Sequence, residues 1–280
     1  MAYMQVLAPA KINLSLRVVG HRSDGFHEIE TLIAPISLCD EINIERCSGK
    51  KKIAFRCDDP ALPKGEDNLV VHAAKVFFEK MQITTGVSIE LKKTIPHGAG
   101  LGGGSSDAAS TLMALNELFD TNLPREALAK MAELIGSDVP FFIFESAAVC
   151  KGRGELVTPT RLRESLSLLL LKPEFGVPTQ WAYSRWHDSR EIGSVPYSAQ
   201  AFGGQTFLND LERPVFEKYV FLAQLKMWLL KQAGVGAALT SGSGSTVFGV
   251  LHGNVDVDRL AMRAKADLDP ELWTCICNTR

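Results

Sequence analysis

The sequence predicts a chain of two domains that combines β-strands with α-helices. The chain has 280 residues, of which 46% are hydrophobic, so it can bury the core of one large or two ordinary domains. Apolar and polar residues alternate at 11–18, which is the period of a half-buried strand, whereas 69–81 has the 3.6-residue period of a helix. A polar linker at 159–164 then predicts a boundary between residues 1–164 and residues 165–280.

Composition argues against several classes of function. The formal net charge of -2 provides no basic field for a nucleic acid, and the run Lys50-Lys51-Lys52 is predicted to be the solvated tip of a hairpin. No apolar run is long enough to cross a bilayer and no secretion signal precedes the first strand, so we expect a cytoplasmic protein without a membrane partner. The cysteines form no Cys-x-x-Cys pair, which argues against a zinc site or a disulfide framework.

The first strand, at 11–18, places Lys11 and Asn13 on one open face and the apolar residues on the other. A lysine at the start of a strand is usually a solvated edge residue. Asparagine is disfavoured in strands, so its presence needs a separate reason. A cluster of turn-forming residues at 20–25 precedes a second strand at 26–32, which predicts a hairpin.

Two short strands and a helix follow the hairpin. The strands are predicted at 42–45 and 53–57 from their alternating and β-branched residues. The helix at 69–81 begins after Asp67 or Asn68, either of which can cap it by accepting a hydrogen bond from a backbone N–H group.

A glycine-rich loop at 96–106, with the sequence PHGAGLGGGSS, joins a strand at 87–91 to a helix at 108–115. So many glycines between two regular elements leave the backbone accessible to a ligand. The first N–H groups of a helix have no partner within the helix, and the helix dipole is positive there, so an anion is the natural occupant. The sequence therefore predicts a phosphate-binding loop.

Three other interpretations of this loop fit less well. The dinucleotide-binding pattern matches Gly98, Gly100 and Gly103, but it requires a buried parallel strand before it and an acidic residue about twenty positions later. A Walker loop requires lysine directly after its last glycine, where this chain has Ser105. A flexible linker predicts polar residues in place of Leu101 and no start of a helix.

The remainder of the chain alternates between helices, strands and turns. Asp138 stands two residues before Pro140, so its simplest role is to cap a short helix at 141–144. Around it, the sequence predicts a helix from Pro124 that ends before Gly136 and a hairpin at 147–158. The next predicted elements are a strand at 165–171, a helix containing Trp181 and Tyr183, an irregular segment at 187–205 and a long helix at 215–233. The last are strands at 235–239 and 246–251 around a second glycine-rich loop at 241–245, a helix capped by Asp256, and a strand at 273–277.

The loop at 96–106 resembles the ATP loop of the superfamily that contains galactokinase, homoserine kinase, mevalonate kinase and phosphomevalonate kinase, the GHMP kinases. Further segments resemble motifs of this superfamily in the same order. The resemblance implies an α+β, two-domain GHMP-kinase fold: an N-terminal domain like the second domain of ribosomal protein S5, a ferredoxin-like C-terminal domain, and an active site in the cleft. These segments are 8–14 (APAKINL), 22–27 (RSDGFH), 66–69 (EDNL), 136–140 (GSDVP), 209–212 (NDLE) and 241–245 (SGSGS).

Within the superfamily, the segments at 8–14 and 22–27 resemble those of the branch whose small-molecule substrate is CDP-methylerythritol. The resemblance implies that the γ-phosphoryl group of ATP moves to the 2-hydroxyl of that substrate, in the non-mevalonate route to isoprenoid precursors, with Mg²⁺ carried mainly by ATP. It implies two catalytic residues. Asp138 would accept the hydroxyl proton, and Lys11 would orient this aspartate and the alcohol.

The resemblance also implies residues that bind the two substrates. Phe26 and Tyr183 would form the two faces of a cytosine sandwich, although Phe26 replaces the usual tyrosine and so lacks its hydroxyl group. The acceptor-binding residues implied are Asn13, Phe26, His27, Tyr183 and Gly242. The ATP-binding residues implied are Asn68 near adenine, Pro96, His97, Gly98, Ala99, Gly100, Leu101, Gly102, Gly103, Gly104, Ser105 and Ser106, with Ser106 also the candidate ligand of Mg²⁺.

Alternatives remain at this point. A different GHMP small-molecule kinase, such as a homoserine or mevalonate kinase, leaves the segment at 24–27 unexplained. A nucleotide-binding protein without catalytic activity is a second alternative, against which Lys11 and Asp138 argue. Ordinary structural roles are also open for His27, as a half-buried strand residue, and for Tyr183, as a core aromatic residue. We expect a monomer or a weak homodimer.

Overall fold

The computed structural model describes residues 3–50 and 53–280, and these form two compact units. Lys51 and Lys52 of the predicted hairpin tip lie outside the described residues. Several segments of the chain contribute to each unit, so the linker-based boundary near residue 165 stays a prediction. The first unit consists of the described chain up to Ala10, Leu38–Pro96 and Gly102–Ser146, and the second of Lys11–Ser37, His97–Leu101 and Ala147–Arg280.

Strands β1 (Tyr3–His21) and β2 (His27–Lys50) pass through both units. In the first unit, β2 pairs antiparallel with β4 (Thr85–Lys92), and β3 (Ile53–Cys57) pairs parallel with β4. The apolar residues that alternate along these strands form one side of the unit's core, which predicts a sheet covered by helices on that face. The buried residues on these strands include Ile42, Ile44, Val87, Ile89 and Leu91.

Four helices complete the first unit: α1 (Leu69–Lys80), α2 (Gly103–Leu118), α3 (Arg125–Ala132) and α4 (Val139–Ile143). Helix α1 packs against α2, which also contacts α4. The predicted cap of α1 is confirmed, because Asn68 Oδ1 accepts a hydrogen bond from the N–H group of Val70 over 3.0 Å. Helix α2 starts at Gly103, inside the glycine loop, which is earlier than the start at 108 that the sequence predicts.

The second unit contains one group of strands around β1 and β2. Here β1 pairs in parallel with β9 (Gln205–Asn209), and β9 pairs antiparallel with β8 (Gln200–Phe202). Strand β5 (Ala148–Gly152) pairs antiparallel with β2 and with β6 (Leu156–Pro159). The predicted hairpin at 147–158 is therefore confirmed.

A separate four-stranded antiparallel sheet in the second unit carries the other helices. Its strands lie in the order β10, β11, β7, β12. Their bounds are Ser167–Lys172 for β7, Val235–Thr240 for β10, Val247–Leu251 for β11 and Trp273–Asn278 for β12. The helices are α5 (Thr179–Arg185), α6 (Glu212–Lys218), α7 (Val220–Leu230) and α8 (Val257–Asp267). The core between them includes Leu169, Leu171, Phe216, Leu225 and Val247.

The mixed strand and helix content predicted from the sequence is confirmed, and so is the cap of the last helix. Asp256 Oδ1 accepts a hydrogen bond from the N–H group of Arg259 over 3.0 Å. None of the helices in the part of the chain that the structure describes has the length and apolar character needed to cross a bilayer.

The single helix predicted at 215–233 is wrong. The backbone leaves the helical region at Tyr219, where φ is -108° and ψ is 67°, and the chain forms α6 and α7 on either side. The Tyr219 ring stacks on Phe175 with 5.5 Å between ring centroids and also meets Trp181 edge-on. These contacts join residues far apart in the sequence, so helical periodicity does not report them.

Two further predictions need correction. The segment at 187–205 is not wholly irregular, because β8 forms a hairpin with β9 around Gly203 and Gly204, both of which have positive φ. The strands predicted separately at 26–32 and 42–45 belong to the single strand β2. Backbone pairing with β4 and β5 continues the strand where the residue pattern alone is ambiguous.

Candidate active site

Strand β1 carries two buried polar residues, Lys11 and Asn13, which are 5% and 4% exposed. Lys11 Nζ donates hydrogen bonds to Asn13 Oδ1 over 2.6 Å and to the carbonyl oxygen of Gly100 over 2.8 Å. Asn13 Nδ2 donates to Thr31 Oγ1 over 2.8 Å. The two side chains share a face, as the alternation predicts, but the prediction that this face is open is wrong because backbone and side chains of the second unit cover it.

The second glycine loop, residues 241–245, lies against the same two side chains. A Cβ atom placed on Gly242 would lie 3.3 Å from Asn13 Oδ1 and 3.4 Å from Lys11 Nζ. Ser241 Oγ donates a hydrogen bond to the carbonyl oxygen of Gly100 over 2.9 Å. The structure therefore brings Gly242 next to Lys11 and Asn13, from which the sequence separates it by more than 200 residues.

The first half of the glycine loop, residues 97–101, is held by backbone hydrogen bonds from Lys11 and Thr246. The N–H group of Lys11 donates to the carbonyl oxygen of Leu101 over 2.9 Å, and that of Thr246 donates to Ala99 over 3.1 Å. At Gly100 φ is +74°, and a Cβ atom there would lie 2.2 Å from the carbonyl oxygen of Ser241. Only glycine fits this position, because any side chain would enter the neighbouring backbone.

The second half of the glycine loop forms the start of α2. Gly102 is the N-cap with φ of 68°, and the first backbone bond of the helix runs from Ser106 N–H to the Gly102 carbonyl oxygen over 2.9 Å. The N–H groups of Gly103, Gly104 and Ser105 therefore have no helical partner, which is the arrangement that binds an anion. Ser106 Oγ is buried and has no hydrogen-bond partner among the described residues.

A buried charged group that the sequence does not reveal lies beside this helix start. Lys93 Nζ forms ion pairs with Asp40 and, over 2.8 Å, with Asp107 of α2. Burial raises the pKa of Asp107 to about 7, with Lys93 opposing this shift and Asp40 adding to it. Burial alone would lower the pKa of Lys93, but Asp107 and Asp40 outweigh it and the pKa is raised.

Asp138 precedes α4 and occupies its N-cap position. Its φ of -86° and ψ of -13° are already helical, and its side chain makes no capping hydrogen bond. The cap interpretation therefore does not account for this carboxylate. Asn68 differs, because both of its amide atoms are engaged: Oδ1 caps α1, and Nδ2 donates to the carbonyl oxygen of Pro63 over 2.9 Å.

The turn before β2 presents Phe26. Asp24 Oδ1 accepts a hydrogen bond from the N–H group of Phe26 over 3.1 Å, and Arg22 forms ion pairs with Asp24 and Glu28. Phe26 is 49% exposed. The guanidinium group of Arg153 lies over its ring, 4.7 Å from the centroid. One face of the ring is thus occupied by a cation.

His27 and Tyr183 lie side by side in the second unit, with 5.3 Å between their ring centroids. The ring centroid of His21 lies 4.3 Å from that of His27, and the Trp186 ring meets the His27 ring edge-on. Burial and then His21 lower the pKa of His27, so a neutral imidazole is favoured at neutral pH. Tyr183 also packs against a small apolar cluster, which matches the core role that the sequence left open for it.

Known proteins are similar to this chain along almost its whole length. The family described as GHMP kinases N terminal domain matches residues 68–146. A 4-diphosphocytidyl-2-C-methyl-D-erythritol kinase of Methylacidiphilum infernorum is 41% identical over 276 residues, which cover 97% of this chain and 95% of the relative. The chain belongs to the family of 4-diphosphocytidyl-2-C-methyl-D-erythritol kinases.

Two further comparisons agree with this family. A second 4-diphosphocytidyl-2-C-methyl-D-erythritol kinase, from Thermodesulfovibrio yellowstonii, is 39% identical and covers 89% of this chain and 90% of the relative. A crystal structure of 4-(cytidine 5'-diphospho)-2C-methyl-D-erythritol kinase superposes with a TM-score of 0.81 at 34% identity, covering 99% of both chains. The structure of a homoserine kinase from Cytophaga hutchinsonii superposes with a TM-score of 0.72 at 18% identity. The match covers 100% of this chain and 95% of the homoserine kinase chain, and it shows a shared fold.

Membership of this family confirms the predicted resemblance and the GHMP-kinase fold, and it makes the chain a kinase. Two residues that contact predicted site residues were not predicted from the sequence. Arg153 stacks on Phe26, and Asn209 donates to the carbonyl oxygens of Thr240 and Gly242. The only signal for Asn209 was its place in the segment at 209–212, and no spacing rule pointed to Arg153.

Proposed function

We propose that this kinase transfers the γ-phosphoryl group of ATP to the 2-hydroxyl of 4-diphosphocytidyl-2-C-methyl-D-erythritol, the substrate that the name of its relatives states. The observation that carries this proposal is the meeting of Lys11 Nζ and Asn13 with Gly100 of the first glycine loop and Gly242 of the second. A buried ammonium group beside two glycine loops suits a phosphate-rich substrate pair.

Phosphoryl transfer requires positioning, neutralisation of charge and a proton acceptor. In this proposal the loop at 96–106 holds the phosphates of ATP through its backbone N–H groups. Lys11 directs its ammonium group at the reacting hydroxyl and phosphate oxygens. Asp138 accepts the proton of the hydroxyl group, and the absence of a capping bond to its side chain supports this role.

Mg²⁺ supplies neutralisation of phosphate charge when it is bound. Among the described residues, no cluster of three or more histidine, cysteine or acidic side chains could hold a metal. Ser106 Oγ, which is buried and finds no hydrogen-bond partner in the described part of the chain, fits the role of a single protein ligand. We therefore assign most of the coordination of Mg²⁺ to the phosphate oxygens of ATP.

The acceptor end of the site consists of Phe26, His27 and Tyr183 in this proposal. An exposed aromatic ring can stack on a cytosine, and a neutral imidazole can donate and accept hydrogen bonds at its polar edge. Asn68 and the residues 96–106 serve the ATP end. The monomeric or weakly dimeric state and the cytoplasmic location remain predictions from the sequence.

The test is a turnover assay with purified protein, ATP and Mg²⁺. The acceptors are 4-diphosphocytidyl-2-C-methyl-D-erythritol, homoserine and mevalonate, and both ADP and the phosphorylated product are measured. We expect product only from the cytidine-containing acceptor, with CDP competing against that acceptor and not against ATP. Phosphorylation of homoserine or mevalonate would favour the other kinases, and ATP binding without turnover of any acceptor would favour a non-catalytic role.

A further inference from the structure

The second glycine loop at 241–245 is held by the segment at 209–212. Asn209 is buried, and its Nδ2 donates hydrogen bonds to the carbonyl oxygens of Thr240 over 2.8 Å and Gly242 over 2.7 Å. Its Oδ1 accepts from the N–H group of Leu211 over 2.9 Å. One amide therefore fixes both the entry and the turn of the loop.

Glu212 holds the same loop by its entry strand. Its carboxylate is 1% exposed, and Oε1 accepts hydrogen bonds from the N–H group of Thr240 over 2.8 Å and from Thr240 Oγ1 over 3.3 Å. Oε2 pairs with Lys226 Nζ over 2.6 Å. Burial raises the pKa of Glu212, and the contacts with Lys226 and Thr240 oppose that shift. A charge this deeply buried is stable only when every oxygen has a partner.

Lys226 connects this carboxylate to the segment at 187–205. Its Nζ donates a second hydrogen bond to the carbonyl oxygen of Pro196 over 2.7 Å. A second link runs through Gln200, whose side-chain amide donates to the carbonyl oxygen of Ala238 over 2.9 Å and accepts from its N–H group over 3.0 Å. Ala238 lies two residues before Thr240 on β10, so both links reach the entry of the glycine loop.

The atoms that Asn209 and Glu212 bind distinguish this arrangement from an ordinary buried ion pair. They include backbone atoms of Thr240 and Gly242, and a Cβ atom placed on Gly242 would lie 3.4 Å from Lys11 Nζ and 3.3 Å from Asn13 Oδ1. A displacement of about 1 Å at a reacting centre can lower turnover about 10²-fold even when the altered residue is remote. The backbone position of Gly242 is therefore sensitive to these two side chains.

We propose that Asn209 and Glu212 are positioning residues that set the backbone of the second glycine loop against Lys11, and that Lys226 makes the segment at 187–205 part of this support. The proposal deepens the proposed function and rests on it, because it assumes that this loop faces the reacting groups. The proposal predicts that removing these contacts lowers kcat and changes KM little.

The main test variant is the double substitution Glu212→Gln with Lys226→Met. It removes both charges and keeps side chains of similar size, a change that often leaves stability nearly unaltered, whereas either single change leaves a buried charge unpaired. We expect kcat to fall about 10- to 100-fold, with both KM values within about threefold of wild type. Asn209→Ala is the independent second variant, because it leaves two loop carbonyl oxygens without a donor.

Leu260→Ala is the matched control. Leu260 is buried in the core of the four-stranded sheet, so its loss lowers stability without removing a hydrogen bond to the loop. We expect a lower Tm and an unchanged kcat for this variant. A fall in kcat no larger in the double variant than in Leu260→Ala would overturn the proposal.

Amide hydrogen exchange gives a readout that does not depend on turnover. We expect exchange at 241–245 and at 192–198 to accelerate in the double variant and to stay at the wild-type rate in Leu260→Ala. Unchanged exchange at 241–245 would overturn the positioning role. If wild-type protein phosphorylates none of the acceptors, the proposed function fails, and the exchange result alone then decides whether these residues position the loop.

Discussion

Lys11 Nζ and Asn13 Oδ1 are joined by a hydrogen bond of 2.6 Å, and both side chains are buried on the same face of β1. A lysine in this position is costly to desolvate unless its donors are used, and the Gly100 carbonyl oxygen is a second acceptor for it. We predict that this pair has a specific role beside the two glycine loops, and the following variants test that role.

Lys11→Met should lower kcat by at least about 10²-fold, because it removes a preorganised positive charge and the ammonium donor of Asn13 Oδ1. Steady-state kinetics with both substrates measure this loss. Lys172→Met is the control, since Lys172 is also buried and donates to the carbonyl oxygens of Pro173 and Glu174. A kcat for Lys11→Met that matches the control would exclude a role for the Lys11 charge in catalysis.

Asp138→Asn should bind both substrates yet lower kcat by about 10²–10⁴-fold, the usual contribution of a general base. Its Tm should stay near that of wild type, because the Asp138 side chain makes no capping bond. Asp256→Ala is the matched control: it removes a real cap from α8, so it should lose about 0.5–2 kcal/mol of stability and keep its kcat. The reverse pattern, with Asp138→Asn unstable but active, would make Asp138 only a structural residue.

Gly104→Val should weaken ATP binding without unfolding the protein. Gly104 is exposed in the first turn of α2, and a Cβ atom there would lie 3.5 Å from Leu69 Cδ1, an ordinary contact. Gly103→Val is a poorer probe, because its Cβ atom would lie 3.0 Å from Ile95 Cγ2 and the variant should also lose stability. Calorimetry measures ATP affinity. Gly193→Val is the control, because a Cβ atom at Gly193 would have no neighbouring atom within 4 Å. Normal ATP affinity in Gly104→Val would contradict the assignment of this loop.

Phe26→Ala and Tyr183→Ala should raise KM for the cytidine substrate and leave KM for ATP nearly unchanged. Stacking on an aromatic ring contributes about 1–3 kcal/mol, whereas a neutral hydrogen bond contributes about 0.5–1.5 kcal/mol, so Phe26→Tyr should change little. His27→Ala should weaken discrimination between cytosine and uracil, whose hydrogen-bonding edges differ. An increase in KM for ATP instead would place these rings at the adenine end.

Arg153→Met should increase the mobility of the Phe26 ring, because the guanidinium group that lies over it is lost. We expect a moderate rise in KM for the cytidine substrate, smaller than that of Phe26→Ala, with kcat retained. The comparison of the two KM values is the measurement. If Arg153→Met matches Phe26→Ala, the cation itself binds the substrate and the stacking explanation is incomplete.

Asp107 should make stability depend on pH. Its pKa is raised in the folded protein to about 7 from about 4 in an unfolded chain, so its contribution is complete below the unfolded value and is lost as pH rises through about 7. Asp107→Asn removes this dependence and should gain stability relative to wild type between about pH 5 and about pH 8. Urea unfolding at several pH values measures the difference, with Asp120→Asn as a control for the loss of an exposed carboxylate. A pH-independent difference would show that Lys93 keeps Asp107 charged.

Much of the fold could be predicted because its signals are local. Asn68 and Asp256 cap their helices because a side-chain oxygen reaches an N–H group two or three residues away. The glycine loop at 96–106 is equally local, since its glycines and the start of α2 adjoin each other in the sequence. The resemblance to the family also rests on local segments, such as those at 8–14, 96–106 and 136–140.

The tertiary structure alone decided the features that join distant parts of the chain. The break at Tyr219 follows a stacking contact with Phe175, and the burial of Lys11 and Asn13 depends on Gly100 and the loop at 241–245. Capping and periodicity are read within one or two turns of the chain, whereas packing depends on which remote residues become neighbours. The sequence by itself therefore determined most of the elements, the glycine loop at 96–106 and the family. Only the folded chain showed that Asn209 and Glu212 hold the second glycine loop, because those contacts have no signature in sequence spacing.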